Sequence, residues 1–223
     1  MYRDRYHAGQ TLAEQLAGRR IIDPLLLAIP RGGVVVAVPI AERLSVGIKV
    51  LVTRKVGHPG NAEVAIGACM PDGSAIADKQ LLSRLNITEA QFQAMAAKEY
   101  EEIERRLFTY TGSVQPLQVE GRTVIIIDDG IATGYTVRAA ILWLQKLKPV
   151  SIIVAVPVAS SDVVKELRQQ VEVICPILAD RFMAVGMYYR NFVQTSDDEV
   201  VEMLRTAAAF QQLSLTNPDY RIK

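Results

Sequence analysis

Short, strongly apolar runs separated by amphipathic stretches are the feature that most constrains how this chain folds. The runs lie at residues 24–30, 48–53, 124–127, 152–156 and 171–177 and are rich in Val, Ile and Leu. Runs of this kind are typical of strands that are buried on both faces, as in a parallel sheet covered by helices. The pattern therefore predicts an α/β fold built on a parallel sheet.

The amphipathic stretches predict the helices that cover this sheet. Residues 33–44, 88–110, 136–148 and 161–170 read as helices. Thr88 and Gln91 form a capping box at the start of the long helix at 88–110. Ser196 and Glu199 form a second capping box before a last helix, and the polar tail from Leu213 is expected to fray.

Residues 54–63 break this alternation of strands and helices. They are polar, contain two Gly and one Pro, and show no periodicity. Two predicted strands at 64–70 and 74–77 follow, on either side of a Pro-Asp-Gly turn. We therefore expect a β excursion that carries a long polar loop.

Composition restricts the class of protein. Half of the 223 residues are apolar and 22% are charged, which is typical of a soluble globular protein. Lys and Arg number 25 against 24 Asp and Glu, so the net charge of +1 gives no field for binding nucleic acid or an anionic membrane. Cys69 and Cys175 lie far apart, which argues against a zinc site or a disulfide framework and favours a reducing compartment.

The sequence also predicts where the protein is located and how many domains it has. No apolar run approaches the roughly 20 residues that span a bilayer, and the start is polar, so we expect a cytoplasmic protein. We also predict a single domain over residues 1–223. Its core covers about residues 22–177, with additions at about 1–21 and 178–223.

The segment after the run at 124–127 carries the clearest chemistry. Asp128 and Asp129 come directly after this run, and a Gly- and Thr-containing loop then leads into a helix. Ligands of open α/β sheets bind beyond the carboxyl ends of the strands. Two carboxylates suit the hydroxyls of a sugar, while glycines and a helix N-terminus suit a phosphate. The segment therefore predicts a site for a ribose 5-phosphate.

Residues 124–136 (VIIIDDGIATGYT) resemble the signature of the type I phosphoribosyltransferases throughout. The resemblance implies that family's fold, a parallel sheet flanked by helices with a flexible β loop and a small hood. It also implies that this segment binds phosphoribosyl pyrophosphate (PRPP), the acids through the ribose hydroxyls and the loop through the 5-phosphate. The implied PRPP-binding residues here are Asp128, Asp129, Gly130, Ala132, Thr133, Gly134 and Thr136. A bare Asp-Asp-Gly is more simply a solvated turn, but the match extends over the whole motif.

Two further loops match the family less specifically. Arg31 and Gly32 follow the first strand, where the family binds pyrophosphate in a loop that often holds a non-proline cis peptide, although Arg-Gly-Gly alone is more often a tight turn. Arg54 and Lys55 lie where the family has a flexible lid that closes over the reacting centre. His58, in the same stretch, is more simply part of a solvated hairpin loop.

In family members a hood covers the site and recognises the acceptor. The hood here corresponds to about residues 1–21 and 178–223. Asp180, Phe182 and Tyr188 are its acceptor-binding candidates, since aromatics stack on planar bases and a carboxylate pairs with their N–H groups. Packing of the hood onto the core is the simpler explanation for each of them. The chain is also similar to a little-characterised bacterial branch of the family, which leaves the acceptor open.

The resemblance implies an Mg²⁺-dependent transfer of ribose 5-phosphate from PRPP to a nitrogenous base, of purine type, with release of pyrophosphate. Asp128, Asp129, Arg31 and Lys55 are the implied catalytic residues. Arg31, Lys55 and Mg²⁺ would neutralise the leaving pyrophosphate while an oxocarbenium-like sugar forms near the two acids. Mg²⁺ would be held mainly through PRPP, with Asp128 and Asp129 as candidate ligands.

Other functions are less consistent with the sequence. A PRPP-binding regulator without turnover usually carries a nucleic-acid-binding module or a basic face, which a net charge of +1 does not favour. A hydrolase lacks its Gly-x-Ser-x-Gly motif, and His7 and His58 are too few for a metal cluster. The apolar positions of the helix at 88–110, together with the family resemblance, favour a homodimer, although an amphipathic helix packed on its own sheet would show the same stripe.

Overall fold

A computed structural model describes residues 1–114 and 116–216 of this chain, with the side chains of residues 61–63 and 213–216 outside that description. Contacts between residues divide the chain into two compact units. The first unit comprises Met1–Leu51, Val119–Gly134 and Leu147–Lys223, and the second comprises Val52–Gln118 and Tyr135–Lys146. Most of the tail predicted to fray from Leu213 therefore lies outside the described residues.

Helices and strands alternate along the chain as the apolar pattern predicts. In chain order they are α1 (Arg5–Ala17), β1 (Pro24–Ala28), α2 (Gly32–Leu44), β2 (Ile48–Val50), β3 (Arg54–His58), β4 (Asn61–Cys69), β5 (Ala75–Ala77), α3 (Lys79–Arg84), α4 (Glu89–Thr111), β6 (Thr123–Ile127), α5 (Tyr135–Lys146), β7 (Ser151–Ala155), β8 (Val158–Ser160), α6 (Ser161–Leu167), β9 (Glu172–Ile174), β10 (Ile177–Ala179), a 3-10 helix (Val185–Tyr188) and α7 (Asp197–Thr216).

A parallel sheet forms the centre of the first unit. In the described part of the chain its five strands follow the order β2-β1-β6-β7-β9, and every neighbouring pair is parallel. Strand β6 is buried along its whole length, as expected for a central strand without alternation. Helix α2 packs on β1, β2 and β6, and α7 packs on α2 and β2. The predicted α/β fold is confirmed.

The additions to this core share a small apolar cluster. Tyr2 pairs with Tyr189 as an isolated parallel bridge, and the two rings lie 5.7 Å apart. Buried Tyr2, Ala8, Val158 and Tyr189 form the cluster, and partly buried Ile177, Phe182, Val185 and Tyr188 pack around it. Within the first unit, this cluster therefore joins the N-terminal end of the chain to residues 185–190 and to Val158 of β8.

The second unit contains a three-stranded antiparallel sheet in the order β3-β4-β5. Residues 54–63, predicted to be a long polar loop, instead form β3, a turn at Pro59 and Gly60, and the start of β4. Their strand pattern is obscured because register shifts between Val56 and His58 break the alternation of buried and exposed residues. The side chains of residues 61–63 lie outside the described part of the chain.

Helix α4 covers this antiparallel sheet. The capping box of Thr88 and Gln91 is present, and the helix ends at Gly112 in the left-handed region. Its buried positions are Phe92, Ala96, Ile103, Leu107 and Tyr110. This stripe packs on β3, β4 and β5 of its own unit. Most of the apolar side chains that favoured a homodimer are therefore buried within that unit. Phe108 stays 65% exposed.

Several element boundaries differ from the sequence-based prediction. The strand predicted at residues 171–177 is shortened to β9, which ends at Ile174 before Pro176, and β10 pairs with β8 in a separate two-stranded sheet. Strand β8 and helices α1 and α3 had no predicted counterpart. Over the residues that the structure describes, no helix combines the length and the apolar character needed to cross a membrane.

Candidate active site

The signature segment leaves the sheet at the carboxyl end of β6. This strand ends at Ile127, so Asp128 and Asp129 are the first residues beyond it, as predicted. Ile131 then pairs with Ala159 in an isolated bridge, through a 2.9 Å bond from its N–H to the Val158 carbonyl and a 3.1 Å bond from the Ser160 N–H to its own carbonyl. The loop is therefore fastened at its middle, between the acids and the glycine that ends it.

Glycines shape both ends of this loop. A Cβ at Gly130 would lie 2.7 Å from a methyl carbon of Val185 and 3.0 Å from one of Val158, so a side chain does not fit there. Gly134 has a φ of +71°, which favours glycine, and α5 begins at the next residue. Ala132, Thr133 and Thr136 are exposed, with Thr136 in α5 of the second unit.

The two signature acids interact with each other. Oδ1 of Asp128 accepts a 2.8 Å hydrogen bond from the backbone N–H of Asp129. Burial, followed by the charge of Asp129, raises the pKa of the Asp128 carboxyl well above its ordinary value of 3.8. The two adjacent carboxyl groups offer several oxygen atoms for the hydroxyls of a sugar.

Asp129 has a further partner that the sequence did not indicate. The Nε of Arg5, in the first turn of α1, donates a 2.7 Å hydrogen bond to its Oδ2. The phenolic O–H of Tyr189 donates a 2.6 Å hydrogen bond to the backbone carbonyl of Asp129. Both partners come from the predicted hood, so the hood and the signature acids are directly linked within the first unit.

The loop after β1 approaches the same acid. The Pro30–Arg31 peptide bond is cis, as the family resemblance implied for this loop. A Cβ at Gly32 would overlap Oδ2 of Asp129, which shows how closely the backbone passes this carboxylate. Nη1 of Arg31 lies 3.8 Å from Oδ1 of Asp197, and both side chains are partly exposed. Gly32 and Asp129 are therefore brought together, and Arg31 lies beside Asp197.

The remaining predicted phosphate-binding residues belong to the second unit. Nε of Arg54 donates a 2.9 Å hydrogen bond to Oε2 of Glu99, so this guanidinium is paired with α4. Lys55 is exposed on β3, opposite Ala68. Gly60 donates its N–H to Nδ1 of His58, which is consistent with the predicted role of His58 within the hairpin.

The three acceptor-binding candidates have contacts within the first unit. Oδ1 of Asp180 accepts a 2.7 Å hydrogen bond from the Ser161 hydroxyl. The rings of Phe182 and Tyr188 stack on each other with their centroids 5.4 Å apart. These contacts correspond to the alternative interpretation of packing, and none of the three residues lines the cavity described next.

An open cavity of about 450 Å³ lies in the first unit, next to Arg5. It is bordered by the start of α1, by Val35 of α2, by residues 191–195 and by α7. Its charged lining residues are Asp4, Arg5, Glu199 and Glu202. Sequence reasoning did not identify this cavity, because its walls come from four separate parts of the chain.

The described side chains offer no metal site by themselves. Among them no group of three or more His, Cys, Asp or Glu is positioned to hold a metal ion. Asp128 and Asp129 supply two carboxyl groups, and Mg²⁺ is commonly bound through one or two carboxylates together with substrate phosphates and water. The site is therefore compatible with an Mg²⁺ ion that PRPP brings.

Comparison with known proteins agrees with this architecture. Residues 3–189 match the family described as "Phosphoribosyl transferase domain". Curated proteins from two strains of Mycobacterium tuberculosis, each named a "Putative phosphoribosyl transferase", are 36% identical over 211 residues, which is 93% of this chain and 47% of theirs. The chain thus spans about half the length of these relatives.

Solved structures show the same fold. The crystal structure of TT1426 from Thermus thermophilus is 36% identical and superimposes with a TM-score of 0.81, covering 93% of this chain and 99% of that one. A hypothetical protein from Neisseria gonorrhoeae, solved with bound ppGpp, is 13% identical with a TM-score of 0.51 over 94% and 97% of the two chains, and is similar in fold alone. This chain belongs to the type I phosphoribosyltransferase family and has its α/β fold, a parallel sheet flanked by helices.

Proposed function

We propose that this chain transfers ribose 5-phosphate from PRPP to a nitrogenous base, of purine type, and releases pyrophosphate. The observation that carries the proposal is the approach of two loops at neighbouring strand ends. Gly32, after β1, lies against the carboxylate of Asp129, after β6. A ligand that carries a diol next to a pyrophosphate requires hydrogen-bond acceptors for the diol and, beside them, a backbone that can approach the pyrophosphate closely.

The ribose is bound by the signature acids in this proposal. Asp128 and Asp129 bind its hydroxyls by hydrogen bonds. The 5-phosphate is bound by the backbone of Gly130, Ala132, Thr133 and Gly134. The bridge between Ile131 and Ala159 of β8 supports this role. Because the bridge already fixes the loop, its backbone N–H groups can bind a phosphate without the entropic cost of ordering the loop. Thr136 adds a hydroxyl from the first turn of α5.

The pyrophosphate is bound by the loop after β1 and by basic side chains. Arg31 is paired with Asp197 only at 3.8 Å and with both groups partly exposed, so the pair is weak and a phosphate group can replace the carboxylate. Arg54 and Lys55 are proposed to add positive charge as the C1–O bond breaks. Mg²⁺ bound to PRPP supplies further charge neutralisation for the leaving group.

The chemical step needs no covalent nucleophile from the protein. An oxocarbenium-like sugar would form near Asp128 and Asp129, and the acceptor nitrogen would attack from the face opposite the pyrophosphate. Positioning of the two substrates then accounts for most of the acceleration. Asp180, Phe182 and Tyr188 remain the proposed acceptor contacts, and the cavity beside Arg5 is an additional place for the base.

Pyrophosphate release tests the proposal directly. The protein is incubated with PRPP, Mg²⁺ and single purine or pyrimidine bases, and release above the base-free rate identifies the acceptor. Calorimetric titration of PRPP into wild type and into the double variant Asp128→Asn, Asp129→Asn should show binding only in wild type, because two charge-assisted hydrogen bonds are worth roughly 1.5 to 3 kcal/mol each. Binding without release for any base supports a PRPP-binding regulator, and unchanged binding in the double variant contradicts the ribose assignment.

A homodimer is part of the proposal and rests on the family resemblance. Sedimentation at micromolar concentration should give about twice the 24.6 kDa of one chain. Phe108→Ser tests whether the exposed apolar side chain on α4 takes part in the dimer, since 65% of this residue is exposed. A 24.6 kDa species with full activity contradicts the dimer.

A further inference from the structure

We propose that Arg5 is a positioning residue of the PRPP site, which holds the Asp129 carboxylate in place and balances its charge so that the acidic pair can accept the hydroxyls of a polyanionic sugar. This inference rests on the proposed function. It assigns a role in substrate binding to the N-terminal part of the hood, in addition to covering the site.

Arg5 and Asp129 form a short and largely buried ion pair. The Nε to Oδ2 distance is 2.7 Å, and only 12% and 17% of the two side chains are exposed. Arg5 is the first residue of α1, directly after Asp4, whose carboxylate caps the helix through a 2.8 Å bond from the His7 N–H. The backbone that carries Arg5 is thus fixed by a helix start, and a buried pair of this kind holds its geometry better than an exposed one.

Two other contacts orient the guanidinium. Its Nη1 donates a 2.7 Å hydrogen bond to the backbone carbonyl of Val193, and its central carbon lies 3.7 Å from the centroid of the Phe192 ring. Arginine makes such contacts in several directions at once because the group is planar and carries five N–H donors. The Nε is therefore held toward Asp129 independently of any ligand.

The pair lies at the junction of the two loops that define the proposed site. A Cβ at Gly32 would be 2.8 Å from Nε of Arg5 as well as overlapping the Asp129 carboxylate. Arg5 thus contacts the ribose acid where the proposed pyrophosphate loop passes it. An ion pair that only held the hood on the core could lie anywhere along their contact and would not need to involve the ribose-binding acid.

Charge gives the physical reason for a resident arginine. PRPP carries three phosphate groups, so two uncompensated carboxylates beside its ribose would repel it. In the described part of the chain, Arg5 contacts the Asp129 carboxylate, Asp128 adjoins it, and the Tyr189 hydroxyl binds the Asp129 backbone carbonyl; of these three groups Arg5 is the cation. Losing Arg5 leaves the acidic pair without this cation and lets the Asp129 carboxylate rotate.

The test compares two ligands that share the pyrophosphate, of which only one carries the ribose 5-phosphate. PRPP and inorganic pyrophosphate, each with Mg²⁺, are titrated calorimetrically into wild type, Arg5→Gln, Arg5→Lys and Asp129→Asn. We expect Arg5→Gln to weaken PRPP binding about tenfold or more, which corresponds to the loss of one charge-assisted hydrogen bond, while pyrophosphate affinity changes by less than about twofold. Arg5→Lys should lie between wild type and Arg5→Gln, and Asp129→Asn should show the same selectivity for the ligand with the diol.

Arg3→Gln is the matched control. It removes one positive charge two residues away from Arg5, and Arg3 is 66% exposed and pairs with Asp4. PRPP affinity equal to that of wild type is expected, since the variant loses one exposed ion pair and one charge while every contact of Arg5 is kept. A PRPP loss as large as that of Arg5→Gln would show a general charge effect and overturn the proposal.

The outcomes separate this proposal from the function on which it rests. Wild type that binds no PRPP overturns the proposed function and the role of Arg5 with it. Wild-type binding with unchanged affinity in Arg5→Gln, or an equal loss for both ligands, overturns the role of Arg5 alone. If Arg5→Gln does not fold, Arg5→Lys decides by the same comparison of the two ligands.

Discussion

Gly32 leaves no room for a side chain beside the carboxylate of Asp129. A Cβ at this position would overlap Oδ2 of Asp129, and it would stand 2.8 Å from Nε of Arg5. Strands β1 and β6 are direct neighbours, with Ala28 opposite Ile127, so the loops that follow them leave the sheet side by side. The absence of a side chain at position 32 is what allows this approach.

Gly32→Ala is therefore expected to abolish PRPP binding. The added methyl group forces the loop after β1 away from Asp129 or displaces the carboxylate from Arg5, and either shift disturbs the proposed ribose site. Gly18→Ala is the matched control, because a Cβ at Gly18 meets no atom within 4 Å. Calorimetric titration of PRPP should show loss of binding in the first variant and wild-type affinity in the second. Equal affinities would show that the close approach has no part in binding.

Asp128→Asn should stabilise the fold at neutral pH while it impairs PRPP binding. The pKa of Asp128 is raised in the folded state, mainly by burial, so the unfolded chain releases this proton at a lower pH than the folded chain does. Stability of wild type therefore falls as pH rises from about 4 toward the raised pKa, and asparagine removes that fall.

Melting temperatures between pH 4 and pH 8 test this expectation. The variant should melt higher than wild type near pH 8, and the difference should shrink toward pH 4. A gain of about 2 to 4 °C corresponds to about 1 kcal/mol for a chain of this size. Asp129→Asn is the control with the opposite sign, since it breaks the partly buried pair with Arg5 and should melt lower. A pH-independent difference for Asp128→Asn contradicts the burial of an ionisable carboxyl.

The parts of the fold that were predictable from sequence carry local signals. Strand β6 is an unbroken apolar run, and the glycines and acids that follow it are adjacent in the chain, so strand end and signature loop were both located. The capping boxes at Thr88 and Ser196 mark helix starts in the same local way. Each of these features depends on residues within a few positions of one another.

The missed features depend on contacts between distant residues. Helix α1 buries Ala8, Gly9, Leu12, Ala13 and Leu16, and three of these are too small to produce a clear apolar stripe. A Cβ at Gly9 would lie 2.6 Å from Cγ of Pro39, so the helix is selected by its close packing on α2. The pair of Arg5 and Asp129 joins residues 124 positions apart, and nothing near Arg5 in the sequence signals it.

Both cysteines should react slowly with thiol reagents in the folded protein. Burial raises the pKa of Cys69 and of Cys175 to about 11 each. At pH 8 a thiol with such a pKa is ionised to about one part in a thousand, and the thiolate is the reactive form. Labelling with a chromogenic disulfide at pH 8 should therefore be slow in buffer and fast in guanidinium chloride. Rapid labelling of either cysteine without denaturant contradicts this protection.

The hairpin of β3 and β4 should respond to ligand at its tip and not at its base. At the base, Arg54 pairs with Cys69 and Val56 with Gly67 in the ladder, and the bond from Arg54 to Glu99 fastens this end to α4. Toward the tip the register shifts, and the turn at Pro59 and Gly60 closes the hairpin. Backbone groups near a register shift are less evenly paired, so local opening is easiest there.

Hydrogen exchange followed by mass spectrometry tests this expectation with PRPP and Mg²⁺ present or absent. Exchange at residues 57–60 should slow when both are added, because the proposed lid closes over the pyrophosphate, while exchange at residues 54–56 and 67–69 stays slow throughout. The Asp128→Asn, Asp129→Asn double variant is the control, since without PRPP binding its tip should exchange at the ligand-free rate. Equal protection of the wild-type tip with and without ligand would mean that the hairpin is static and that Lys55 has no role in a closing lid.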